Sequence, residues 1–408
     1  MQKISIISLG DELLKGFTIN TNSSYIGQKL LERGDIVSFN LTIRDNKNDI
    51  VNALIYGCDN SDIIITTGGL GPTKDDITKD VISEFFKLKL YKNADAAKNI
   101  ENYFEISDRI PSEYAMQQAY VPNGSIVFKN KVGLAPGILM NVTYKNQSKK
   151  IIMLPGPPQE MKAVFSELLN YSGFQNSNKI YSKMYLIAGL PESEIERRSE
   201  EKVGNDKELE LAYCANLGFV RLFLTHKNKD KWTKATKIIE KEFSYDILED
   251  GVNDLTQDVI ALLKSQNATI ATAESCTGGM IAASITDNSG VSDIFPGSVV
   301  VYSNKEKIKL LNVSEETLEK YGAVSAETAE EMIQNVIAKF AVDAGIAVTG
   351  IAGPTGGTDK KPVGLVYIAV AYKNKKVIKK YNFHGNREVV RTRTMVTAFN
   401  ELRKLIKE

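Results

Sequence analysis

Thr269-Ile270-Ala271-Thr272-Ala273-Glu274-Ser275-Cys276-Thr277-Gly278-Gly279 decides how the C-terminal part of the chain folds. A short β-favouring run ends in an acid, a hydroxyl, a thiol and two glycines, and small apolar residues then continue in a pattern that suits a helix. The segment reads as strand, tight turn, helix. In an open α/β sheet such a turn lies at the carboxyl end of a strand, where ligands bind, and the helix offers unpaired N–H groups carrying partial positive charge. Two more apolar runs end similarly. Residues 298–302 lead into Ser303-Asn304-Lys305-Glu306-Lys307, and residues 345–349 lead into Gly350-Ile351-Ala352-Gly353-Pro354-Thr355-Gly356-Gly357-Thr358. Three strand ends are therefore expected to face one crevice.

The chain contains two histidines, His226 and His384, so a serine or cysteine nucleophile has few imidazoles available as base. Lysine is the better candidate, provided that desolvation or a nearby cation lowers its pKa. Lys307 follows an apolar strand, where partial burial is expected. Other readings stay open here. Ser275 and Thr277 are residue types that helix N-termini recruit as caps. Cys276 is a rival nucleophile, since thiolates gain stability at helix N-termini, or else a buried filler. Glu274 orients Lys307 or caps the helix. Lys305 and Lys309 flank Lys307 as ordinary solvated lysines, and His384, near Arg387, keeps a Ser–His pair in play.

At 408 residues the chain is expected to hold two or three domains. Its 43% hydrophobic and 25% charged fractions are ordinary for a soluble protein. Fifty-one basic residues balance fifty acidic ones, so long-range charge gives no reason to expect a nucleic-acid or anionic-membrane partner. Cys58, Cys214 and Cys276 form no C-x-x-C pair, which argues against a disulfide framework or zinc ribbon and fits a reducing cytoplasm. The N-terminus enters a strand-like run with no signal-peptide pattern. The longest apolar run, near 363–372, is too short to span a bilayer.

Residues 1–170 alternate predicted strands (4–9, 36–42, 63–67, 151–154) with helices (23–33, 49–57), the pattern of a mainly parallel sheet covered on both faces. The turns after the strands carry the chemistry: Gly10-Asp11-Glu12-Leu13-Leu14 follows the first, and Thr67-Gly68-Gly69-Leu70-Gly71-Pro72-Thr73-Lys74-Asp75-Asp76 follows the third. Glycines there let backbone amides approach a phosphate, and Asp75 and Asp76 are placed to hold a hard divalent cation bridging to it, or to cap the next helix. Residues 171–250 read as a small α+β segment with strands at 183–188 and 219–225. Residues 251–408 return to alternation, with helices at 255–264, 326–340 and 389–406 and a buried-type strand at 363–371. The fold class is α/β: two α/β domains with mainly parallel sheets, 1–170 and 251–408, joined by a small α+β domain.

The set Gly10-Asp11-Glu12-Leu13-Leu14, Asn20-Thr21-Asn22, residues 68–78, Gly133-Leu134-Ala135-Pro136-Gly137 and Leu154-Pro155-Gly156-Pro157-Pro158-Gln159-Glu160-Met161 resembles the N-terminal domain of the CinA family of competence and damage-inducible proteins. That domain is similar to molybdopterin-binding domains and is associated in the family with a metal-dependent ADP-ribose pyrophosphatase activity. The resemblance implies an N-terminal site of Asp11, Glu12, Asp45, Gly68, Gly69, Gly71, Lys74, Asp75 and Asp76. Asp45 and Asp76 would hold a divalent metal ion, and Lys74 would be a charge partner. It also implies a KH-like middle domain, although that segment contains no Gly-x-x-Gly loop of the kind RNA-binding KH modules use. A structural or dimer-forming role is therefore preferred to nucleic-acid binding.

Residues 273–279, Tyr302, Asn304, Lys307, Tyr321-Gly322-Ala323-Val324-Ser325, Gly350-Ile351-Ala352-Gly353-Pro354 and Gly385-Asn386-Arg387 together resemble the family's nicotinamide-nucleotide deamidase domain. The implied reaction is hydrolysis of nicotinamide mononucleotide to nicotinate mononucleotide and ammonia, with no metal. Amide hydrolysis needs a nucleophile, a base that later protonates the leaving ammonia, and donors for the oxyanion. Ser275 is expected as nucleophile and Lys307 as base, with Glu274 and Cys276 beside them. Backbone amides over Cys276, Thr277, Gly278 and Gly279 would form the oxyanion hole. Thr349, Gly350, Gly353 and Gly356 would cradle the phosphate, Arg387 would pair with it, and Tyr302 and Asn304 would contact nicotinamide or ribose. A cytoplasmic homodimer acting on small nucleotides, free of membrane and nucleic acid, completes the expectation.

Overall fold

The structure, a computed structural model, describes every residue except 1, 74, 107 and 175–179. It divides into two compact units, 1–182 and 183–408.

The first unit is built on a six-stranded sheet. In chain order the strands of this unit are β1 (Ile4–Leu9), β2 (Val37–Ile43), β3 (Ile63–Thr67), β4 (Leu90–Lys92), β5 (Tyr120–Pro122), β6 (Ile126–Phe128), β7 (Gly137–Tyr144) and β8 (Gln147–Leu154). The sheet order is β2-β1-β3-β8-β7-β6, and β4 and β5 form a separate two-stranded antiparallel sheet. From β2 to β8 the pairing is parallel, and β7 and β6 close the edge antiparallel. The runs Ile4–Leu9 and Ile63–Thr67 are buried at every residue, as strands covered by helices on both faces must be. Separate apolar clusters fill the two faces, one around Ile7, Ile64 and Met153 and the other around Ile6, Ile65 and Phe165. The predicted strands and helices are present. The hairpin β7–β8 extends further than expected, because β7 pairs at the antiparallel edge and lacks a crossover helix to announce it.

The second unit carries two sheets. Three strands, β9 (Tyr181–Ala188), β10 (Glu210–Asn216) and β11 (Phe219–His226), are ordered β10-β11-β9. The edge strand β10 escaped the sequence reading: none of its residues is fully buried, so hydrophobicity hardly marks it. Five strands, β12 (Ile270–Glu274), β13 (Gly297–Val300), β14 (Ala344–Gly350), β15 (Leu365–Tyr372) and β16 (Lys375–Asn382), are ordered β13-β12-β14-β15-β16. The first three are parallel and the last two pair antiparallel. The segment read as a joining domain belongs to this same compact unit. Ala188, Phe219 and Leu248 enter the core of the five-stranded sheet, and buried Arg403 binds Asp258 at 2.6 Å and the Ile247 carbonyl at 2.7 Å. Removing either partner of that pair would leave an uncompensated buried charge.

In both large sheets the order in which parallel strands are added reverses beside the first strand: β1 lies between β2 and β3, and β12 between β13 and β14. That switch point leaves a crevice outside the carboxyl ends of the strands.

Candidate functional site

The crevice at the ends of β12, β13 and β14 is a cavity of about 270 Å³. Ser275 and Cys276 enter it from the end of β12, Tyr302 and Lys307 from beyond β13, Gly350 to Gly353 from the end of β14, and Arg387 from the closing helix Arg387–Lys407.

Ser303 caps the helix Asn304–Leu311 by accepting from the Glu306 amide, which fixes the register that turns Lys307 inward. Lys307 is 1% exposed, whereas Lys305 and Lys309 stand in solvent. Its ammonium donates to Ser275 Oγ at 3.0 Å and to the Val301 carbonyl at 2.8 Å. Burial pushes the lysine down to about 8. Among the described residues it forms no ion pair. A hydroxyl and an amine of this kind, in contact and out of water, are the parts of a nucleophile and its base.

Ser275 does not cap the following helix. The amides of Gly279, Ile281 and Ala282 donate instead to the wholly buried carboxylate of Glu274, at 2.9, 3.1 and 2.8 Å. Of the two sequence readings for Glu274, the geometry gives the cap. Gly278 and Gly279 adopt φ of 62° and 91°, the left-handed region that makes glycine necessary here. The expected oxyanion hole is correspondingly shorter. Gly278 N–H is engaged by the Ser275 carbonyl and Gly279 N–H by Glu274, and of the expected donors this leaves the Cys276 amide on the cavity wall. Cys276 is buried and its thiol is pushed up to about 12, chiefly by burial, so it offers no thiolate at neutral pH.

The remaining expected contacts separate into two groups. Tyr302, Thr349, Gly350, Gly353, Gly356 and Arg387 line the cavity. Arg387 donates to the Gly353 carbonyl at 2.9 Å and to the Tyr302 hydroxyl at 2.9 Å, bracing the glycine loop against the mouth. The Thr349 hydroxyl is turned away to the Ala323 carbonyl. Glu274, Thr277, Gly278, Gly279 and Asn304 do not line the cavity. Neither histidine reaches it either: His226 is buried in β11 and accepts from the Asn228 amide, and His384 is exposed.

Sequence reasoning missed Arg391. Its guanidinium donates to the Thr277 carbonyl at 2.5 Å, so the closing helix holds the turn that presents Ser275. One turn of helix separates it from Arg387, and that spacing was the available signal. It also missed Lys361, which donates to the carbonyls of Tyr321 and Val324 and fixes the loop lining the opposite wall.

In the first unit a cavity of about 520 Å³ lies over the ends of β1, β2, β3 and β8. It is lined by Asp11, Glu12, Asp45, Gly68, Gly69, Asp75 and Asp76 among others; Gly71 lies outside it, and Lys74 lies outside the described residues. Gly68 has no room for a side chain, since a Cβ would stand 2.4 Å from the Leu9 carbonyl oxygen. Asp45 accepts from the Asp11 amide at 3.1 Å. Burial, and then the charges of Glu12, Asp11 and Asp76, raise the Asp45 carboxyl above its ordinary value. Lys15, 2.8 Å from Asp11, partly offsets this negative charge. Asp76 accepts from the Thr73 amide at 2.9 Å. Converging carboxylates that repel one another fit a divalent cation. Among the described residues, however, they do not form three ligands within 4.8 Å of each other, so a phosphate would have to complete the set. The one such triple is Asp206, Glu208 and His226, outside both cavities, where Lys231 already neutralises Asp206 at 3.0 Å.

Comparison with known proteins agrees with this two-part layout. Residues 252–406 match the family model described as CinA C-terminal domain, and residues 5–172 match the probable molybdopterin binding domain. A putative competence-damage inducible protein of Caldanaerobacter subterraneus subsp. tengcongensis is 39% identical over 98% of this chain and 98% of its own length. A CinA-like protein of Kosmotoga olearia is 37% identical over 99% of each. The crystal structure of competence/damage inducible protein CihA from Agrobacterium tumefaciens is 35% identical, covers 38% of this chain and 94% of its own, and aligns with a TM-score of 0.37. Among the described residues no helix is long and apolar enough to cross a membrane.

Proposed function

The chain belongs to the CinA family, and from that premise and the geometry of its second unit we propose that it hydrolyses the carboxamide of nicotinamide mononucleotide to nicotinate mononucleotide and ammonia. The observation that carries this reading is the 3.0 Å contact between Lys307 Nζ and Ser275 Oγ inside a cavity floored by strand ends. The neutral amine of Lys307 accepts the hydroxyl proton as Ser275 Oγ attacks the carboxamide carbon. The resulting oxyanion is met by the Cys276 amide. Lys307 returns its proton to the departing nitrogen, ammonia leaves, and an acyl ester remains on Ser275. Water, giving a proton to Lys307, cleaves that ester, and the proton goes back to Ser275. Arg387 and the loop from Gly353 to Gly356 supply the charge and open backbone that a 5′-phosphate requires.

For the first unit we infer a metal-dependent hydrolysis of the diphosphate linkage of ADP-ribose, in which water yields AMP and ribose 5-phosphate. Asp45 and Asp76 would hold the divalent cation, which when bound offsets the charge of the diphosphate. Gly68 and Gly69 admit the phosphate to the backbone. The incomplete ligand set favours a second reading, a pterin- or nucleotide-binding module without turnover.

One experiment separates these. The protein is mixed with nicotinamide mononucleotide or with ADP-ribose, each with a divalent cation or with chelator. Ammonia release that survives chelation supports the deamidase, and its absence from both mixtures refutes it. Chelator-sensitive formation of AMP supports the N-terminal hydrolase, and binding of ADP-ribose without products supports the module.

A further inference from the structure

We propose that the cavity continuing beyond the acidic cleft of the first unit is a subsite for a planar heteroaromatic ring, the base of a nucleotide whose phosphates lie between Gly69 and Asp76. The proposal rests on the reading of that cleft as a phosphate site.

The second cavity, about 760 Å³, shares Gly69, Thr73 and Asp76 with the first, so the two adjoin. Its far wall differs in character. Tyr114, on the short helix Glu113–Gln117, is 61% exposed, and Tyr120, at the start of β5, is 41% exposed. Among the described residues neither ring packs on another aromatic ring, and neither hydroxyl makes a hydrogen bond. Leu90 and Met116 supply apolar surface between them. Two unpartnered aromatic faces on a concave wall, with Glu113 and Gln117 offering edge acceptors and donors, suit a flat ring bearing polar edges.

Lys79 lines this second cavity and not the first. It donates to the Gln117 carbonyl at 2.8 Å and forms no ion pair among the described residues. A cation without a carboxylate partner on the wall that carries the tyrosines suits the phosphate nearest the base.

AMP is the probe, with ribose 5-phosphate as the ringless comparison, both titrated calorimetrically into the full chain. Tyr114→Ala and Tyr120→Ala should each weaken AMP binding at least about fivefold, the low end of one base–aromatic stack, and leave ribose 5-phosphate within about twofold. Tyr114→Phe should bind AMP like the parent, since the ring and not the hydroxyl is invoked. Retained ribose 5-phosphate binding shows that the first unit of the variants folds. Unaltered AMP affinity in the double alanine variant, or equal loss for AMP and ribose 5-phosphate, overturns the proposal. Cleavage of ADP-ribose with parental KM in the tyrosine variants would sink the subsite and leave the hydrolase. Tyrosine-dependent AMP binding in a protein that cleaves no ADP-ribose would sink the hydrolase and leave the subsite.

Discussion

Replacing Lys307 by methionine should abolish deamidation and yet improve the standing of the folded state at neutral pH. Moving the titration of a lysine from 10.5 down to about 8 is equivalent to about 3 kcal/mol of unfavourable free energy whenever the folded chain must hold the charge. The sign follows from proton counting. The folded pKa lies below the unfolded one, so the folded state binds fewer protons between those values. The cost is complete below about 8 and fades as the pH rises toward 10.5. Methionine keeps most of the chain length and removes the charge. It also removes the hydrogen bond to the Val301 carbonyl, and an unpaired buried carbonyl costs about 1–3 kcal/mol. That second quantity does not vary with pH, so the two effects can be told apart. Trp232 is the only tryptophan and lies in the same unit as the cavity, and its fluorescence through a urea titration reports the unfolding of that unit. Between pH 7 and pH 10 the stability of Lys307→Met relative to the parent should fall by about 2–3 kcal/mol. A difference that stays constant across that range would show that the lysine is not held against its charge, and the argument for it as a base would go with it.

The same titration governs the rate: kcat/KM for ammonia release should rise with pH through an apparent pKa of about 8 and then level, and a profile without that rise would refute Lys307 as the base. Ser275→Ala should lose at least about 10³-fold in turnover and still bind nucleotide, and Cys276→Ala should retain near-parental turnover; equal losses would move the nucleophile to the thiol. Arg387→Ala should raise KM about tenfold or more with kcat nearly unchanged, as expected for a lost phosphate contact, and a fall in kcat alone would remove the phosphate role. Arg391→Gln should do the reverse, lowering kcat about 10–100-fold at constant KM by loosening the Thr277 carbonyl, with partial restoration by added guanidinium; a raised KM with kcat intact would remove it from the positioning role.

Much of this arrangement was legible because the chain announces strand ends with glycine. β12, β13 and β14 are short apolar runs that stop at polar turns, and the turns hold Ser275, Lys307 and the loop from Gly350. Lys307 stood out from Lys305 and Lys309 only by its place in a motif, since helical phase is invisible until the Ser303 cap sets it. What escaped was decided by partners distant in sequence. Arg391 touches Thr277 from 114 residues away, so its one-turn spacing from Arg387 marks a shared helix face but not the carbonyl it holds. Asn304 was placed in the site by adjacency and faces solvent because it begins a helix whose inward face comes three residues later. The tyrosines of the further cavity lie on a five-residue helix and a three-residue strand, elements too short to carry a period.

The placement of Glu274 shows how the fold keeps a lysine available as a base. It directly precedes the nucleophile, and a carboxylate free to approach Lys307 would stabilise the ammonium and raise its pKa out of range for proton abstraction. The amide of Gly279 and two amides of the helix Met280–Thr286, those of Ile281 and Ala282, take up the Glu274 charge instead, and the positive end of that short helix completes its neutralisation. The turn that carries Ser275 thus acquires its rigidity from an ionic cap, and Lys307 is left facing only a hydroxyl, a carbonyl and an uncharged thiol. Glu274→Gln tests this separation. The amide still accepts from one side but presents donors to one or two of the three N–H groups, so the turn should loosen and kcat fall, with the apparent pKa of the rate profile unmoved. A lowered apparent pKa in that variant would mean that the carboxylate does act on Lys307 after all.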